Sequence, residues 1–101
     1  MSKLIPNTML EIIPNLYKTQ EEANPICHVK LFTPDSSWSW YIIELSQDKN
    51  TCFGYAVGHE AELGYFTLSE IEKIKGPLGL LVERDIHFIP THLETIKQGL
   101  I

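Results

Sequence analysis

The run from Trp38 to Leu45 (WSWYIIEL) constrains the fold of this chain more than any other stretch. Aromatic and β-branched residues dominate it, and such residues favour a strand. Alternation then places Trp38, Trp40, Ile42 and Glu44 on one face and Ser39, Tyr41, Ile43 and Leu45 on the other. Both faces carry large apolar groups. The run therefore predicts a central strand covered on both sides, by helix on one of them. A chain of 101 residues can build one modest core of that kind, so it reads as a single domain over residues 1–101.

The flanking sequence supplies partners for that strand. Residues 28–33 (HVKLFT) read as a strand, followed by turn chemistry at Pro34-Asp35-Ser36-Ser37. A second turn at residues 47–50 leads to a third strand, residues 51–57, with Phe53, Tyr55 and Val57 on one face. Cys52, Gly54 and Ala56 make the other face small enough for an indole to pack over it. Gly58 to Gly64 has no periodicity and reads as a loop, with Tyr65-Phe66 opening the next element. Thr67-x-x-Glu70 is a capping box for a helix over 68–75, with Gly76 capping and Pro77 stopping it.

A short helix within residues 6–13 ends at Pro14. Short strands at 80–82 and 86–89 flank Glu83-Arg84-Asp85. A second box, Thr91-x-x-Glu94, opens a last helix carrying Leu93, Ile96, Lys97 and Leu100. The expected fold is α+β: a small, mostly antiparallel sheet of four to five strands with about three short helices.

Charge narrows the function. Thirteen acids against eight bases give a net charge of −5, which opposes direct binding to nucleic acid or anionic membrane. It suits a basic protein partner. No apolar run approaches a membrane span, and none before Pro6 resembles a secretion leader, so a cytoplasmic protein is expected. Cys27 and Cys52 lack metal-ligand spacing and are expected as buried reduced thiols. Gly54-x-x-x-Gly58 and Gly76-Pro77-Leu78-Gly79 have no GK[ST] after them, so they predict turns or close backbone approach; no cofactor is expected.

Three groups carry candidate chemistry. His59, Glu60 and Glu62 could bind a divalent cation or act as acid and base, with Glu83 and Asp85 completing the set. Their spacing matches no standard metal loop, so no metal site is assigned, and a solvated acidic loop is the simpler reading. Arg84, the only arginine, either binds an anion or clamps the structure by pairing with Glu44, Glu60 or Glu62. Trp38 and Trp40 could anchor a protein interface, or pack in the core.

The pattern Trp38-x-Trp40-Tyr41-x-x-Glu44, Phe53-Gly54-x-x-x-Gly58-x-Glu60-x-Glu62-Leu63-Gly64-Tyr65-Phe66-x-Leu68-x-Glu70 and Gly76-Pro77-Leu78-Gly79-Leu80-x-x-Glu83-Arg84-Asp85 resembles one family. It is the small bacterial family catalogued as domain of unknown function 2958. Phe32-Thr33-Pro34-Asp35 and Phe88-x-Pro90 extend the resemblance over roughly residues 16 to 94. It carries no activity to transfer, and implies a setting on phages, plasmids and other mobile elements. Together these readings lead to a non-enzymatic, acidic binding protein of a mobile genetic element. Its partner would be a basic protein, such as a host defence or DNA-processing factor, contacted by Trp38, Trp40, Glu60 and Glu62. The alternative is a small metal-dependent or acid–base enzyme using His59, Glu60, Glu62 and Asp85.

Overall fold

A computed structural model describes residues 4–99. Among them, α1 (Asn7–Leu10), α2 (Leu68–Ile71) and α3 (Leu93–Lys97) are short helices around mostly antiparallel sheet. The strands β2 (Val29–Phe32), β3 (Ser39–Leu45), β4 (Thr51–Val57) and β5 (Ala61–Thr67) form an antiparallel meander. β6 (Glu83–Arg84) joins the free side of β2, giving the order β5-β4-β3-β2-β6. β1 (Ile26–Cys27) and β7 (Thr91–His92) make a separate two-stranded ribbon. No helix among the described residues is long and apolar enough to cross a membrane.

β3 is central, as its two apolar faces require. On one face Leu31, Trp40, Ile42 and Leu45 pack with Leu10 and Ile13 from the N-terminal segment and Leu68 and Ile71 of α2. On the other, Cys27, Tyr41 and Ile43 pack with Leu93 and Ile96 of α3. The indole expected over the small face of β4 is Trp40, which lies opposite Ala56. Burying these side chains on both sides is the main favourable term in the fold.

Strict alternation along β3 fails at one point. Ile42 pairs with Gly54 but Glu44 pairs with Phe53, so Ile43 is an extra residue, a β-bulge. Beyond it the faces exchange. Leu45 joins the cluster of Trp40 and Ile42, whereas Glu44 lies opposite Phe53, which belongs to the α3 side. The bulge also brings backbones together: a Cβ on Gly54 would lie 2.1 Å from the Tyr41 carbonyl oxygen.

Other boundaries differ from expectation. The stretch 61–67, read in part as loop, is strand β5, and only Gly58 to Glu60 form the turn, closed by Gly58 N–H donating to Glu60 O at 3.0 Å. Glycine and charge hid a strand that is held by its pairing with β4. The helix predicted to Lys75 stops at Ile71, after which Ile74 N–H bonds back three residues to Ile71 O. β6 forms at Glu83–Arg84, between the two expected strands, because that is where the chain meets β2.

The Thr67 hydroxyl accepts from Glu70 N–H at 3.2 Å, as a capping box requires, but also donates to the Glu70 carboxylate at 2.6 Å. The second box does not form. Thr91 belongs to β7, and Asn24 Oδ1 accepts from Glu94 N–H at 2.9 Å across the fold. Gly99 (φ 70°) ends α3 in the left-handed region, and Leu100 lies outside the described residues.

Two outcomes follow from this packing. Gly54→Ala should lower the unfolding free energy by about 2 kcal/mol through overpacking. Gly64→Ala, whose Cβ would meet nothing within 4 Å, should stay within about 0.5 kcal/mol of wild type. Denaturant titration of both variants checks this. Cys27 and Cys52 are free and fully buried on opposite faces of the sheet. Burial pushes both thiols up to about 12, so thiolate is scarce at pH 8. An aromatic disulfide reagent should label neither in native protein and both after denaturation.

Candidate functional site

Two turns at the same end of the sheet assemble the first candidate surface. The turn between β2 and β3 carries Trp38, whose N–H donates to Thr33 Oγ1 at 3.3 Å, while Thr33 N–H donates to the Trp38 carbonyl at 3.0 Å. The turn between β4 and β5 carries His59 and Glu60. Gly58 lets the two meet, because a Cβ there would lie 2.4 Å from the Trp38 ring. Trp38 stacks on Trp40 with centroids 6.1 Å apart and planes 30° apart, and His59 stands edge-on to Trp38 at 5.7 Å.

The two indoles divide the roles suggested for them. Trp40 is 6% exposed and is core; Trp38 is 39% exposed and is surface. Trp38 separates two depressions. One, of about 360 Å³, is lined by Trp38, Ala56, His59, Glu60 and Glu62. The other, of about 300 Å³, lies between the indoles and Ile74 and Pro77. The loop bearing Pro77 is tied to the Trp38 turn by Asp35, whose Oδ2 accepts from Leu78 N–H at 2.7 Å. Gly76 faces that carboxylate at 1.6 Å from a would-be Cβ, so its role is to admit Asp35 and not to cap α2.

Asp85 and Arg84 do not join this surface. His59, Glu60 and Glu62 belong to the β5 edge and Arg84 and Asp85 to the β6 edge, with β4, β3 and β2 between them. That separation is roughly 19 Å across four strand spacings. Asp85 Oδ1 instead accepts from His87 N–H at 2.9 Å, a local turn. Among the described residues no three His, Cys, Asp or Glu side chains gather in a way that could hold a metal ion. The convergence required by the acid–base alternative is therefore not formed.

A clamp is formed by Glu44, a residue to which the sequence assigns no such role. Glu44 is 2% exposed. Its Oε1 accepts from Tyr17 N–H at 2.8 Å, and its Oε2 accepts from Thr19 N–H at 2.8 Å and from the Thr19 hydroxyl. These bonds hold residues 17–19 against the α3 face and keep Tyr17 at φ 72°, a left-handed conformation costing roughly 1–2 kcal/mol for an L-residue. The spacing of Glu44 in sequence gives no sign of this role, because the bulge that turns it to this face is a product of strand pairing.

Glu44 also floors a pocket of about 260 Å³ that includes Phe53, Leu63, Tyr65 and Lys97. Partial desolvation first, then the neighbouring Tyr17 phenol and the Glu44 charge, hold the Tyr65 hydroxyl above its ordinary pKa. Replacing Glu44 by Ala leaves two backbone donors and a hydroxyl without acceptors. The expected loss is roughly 3 kcal/mol of stability, read as a lower denaturation midpoint with early exchange of the Tyr17 and Thr19 amides.

A family model described as "Protein of unknown function (DUF2958)" matches residues 4–96. No curated protein and no solved structure matches the chain.

Proposed function

This chain belongs to the DUF2958 family, and from that premise we propose that it is a non-enzymatic binding protein that docks on a basic protein partner. The observation that carries the reading is Trp38, a half-exposed indole supported from beneath by a buried one. An apolar cleft lies on one side of it and an acidic hollow on the other. Large aromatics in such settings act as interface anchors, and surrounding charge steers the approach of an oppositely charged partner. The net charge of −5 favours the same partner class. The family resemblance supports a role for a mobile genetic element, with a host defence or DNA-processing factor as the target.

Contacts divide between Trp38 as anchor and Glu60 and Glu62 as the steering charges, with Trp40 as the rigid backing. Tagged protein should capture a basic partner from host lysate, and the purified pair should then bind directly. Trp38→Ala should weaken that binding about 30-fold. Glu60→Lys with Glu62→Lys should weaken it about tenfold and remove its salt dependence. Because these three side chains lie at the surface, melting temperatures should stay close to wild type. Unchanged affinity in both variants would show that this surface is not the interface.

A further inference from the structure

The pocket above Glu44 lies on the opposite face of the sheet from Trp40 and differs from the Trp38 surface in kind. Its apolar lining includes Phe53, Leu63 and Leu93, and a buried carboxylate is built into it. That carboxylate accepts one hydrogen bond on Oε1 and two on Oε2. A carboxylate offers about four acceptor positions, so one on Oε1 remains open. Its three bonds are all to neutral donors, and among the described residues no cation pairs with it. Lys97 also lines the pocket, but its Nζ lies 5.9 Å from the centroid of the Tyr55 ring. Glu22 is a second acid lining the pocket. Glu44 is thus a buried carboxylate beside three aromatic rings, Tyr17, Phe53 and Tyr65, with the Phe53 and Tyr65 ring centroids 5.2 Å apart in tilted contact.

We propose that this pocket binds a primary alkylammonium group, the nitrogen donating to Glu44 Oε1 and the alkyl chain lying along Phe53 and Leu63. A cation is attracted by ring faces and most strongly where water is excluded. A single open acceptor position suits an ammonium better than a guanidinium, whose planar fork is matched by two. A quaternary ammonium has no proton to donate. The volume admits a lysine side chain or a small free amine, which share this chemistry. The left-handed Tyr17 fits the same assignment, since the bond that holds it there also sets its ring at the mouth.

Amide NMR of the full chain titrated with n-butylammonium chloride, at constant ionic strength, tests this. Saturable shifts are expected at Tyr17 and Thr19, whose N–H groups bond to Glu44, and not at His59 to Glu62. n-Butanol and tetramethylammonium should bind at least tenfold more weakly. Glu44→Gln should abolish the response. Two surface variants test the pocket independently of that buried site: Tyr17→Gly, which relieves the left-handed backbone, and Tyr65→Leu. Each should stay folded and bind roughly tenfold more weakly through loss of one ring. Tighter binding of Nα-acetyl-lysine methylamide than of butylammonium assigns the site to a protein lysine, and the reverse order to a free amine. Absence of saturation, equal binding of butanol, or unchanged binding in both surface variants overturns the proposal.

Discussion

The bulge at Ile43 is the constraint from which both faces of this molecule follow. Before it, β3 directs Trp40 and Ile42 to the N-terminal side and Tyr41 to the α3 side; after it, the assignment is exchanged. Leu45 is thereby kept in the larger core, and Glu44 is carried under the loop of residues 17–19. Without the extra residue, alternation would put Glu44 on the face of Trp40 and Ile42, within an apolar cluster where burying a carboxylate is costly. With it, the same carboxylate meets three donors and ties a loop to the sheet. Gly54 is the partner of this arrangement, since the bulged backbone leaves no room for a side chain opposite.

A second consequence concerns the end of the sheet. Antiparallel meanders bring alternate turns together, and here the turn before β3 and the turn after β4 meet through Trp38 and Gly58. Two glycines far apart in sequence make that end compact, Gly58 under the indole and Gly76 against Asp35. The resulting surface is braced: Trp38 rests on the buried Trp40 ring and its flanking loop is held by the Asp35 carboxylate.

Much of this was legible from residue types. Trp38 to Leu45 demanded a two-sided central strand, and the structure has one. Residues 51–57 form a strand at the expected limits, and the small residues of that strand do receive an indole. Residue type also singles out Trp38, Glu60 and Glu62, which lie around one hollow. The features that local pattern does not show share a cause. Strand β5, the Asn24 cap on α3 and the position of β6 all depend on hydrogen bonds between distant segments, while local propensity favoured loop, Thr91 and the flanking residues.

Side-chain pattern alone determined that the chain would wrap helices around an antiparallel sheet, because alternating apolar faces permit little else. It also determined which residues could be acid, aromatic or free thiol. Tertiary structure alone decided which of them meet. It put His59 and Asp85 on opposite edges, since β5 and β6 are the two ends of one sheet. It made Glu44 a clamp, because a bulge set by strand register, invisible to periodicity, turned that carboxylate to the other face.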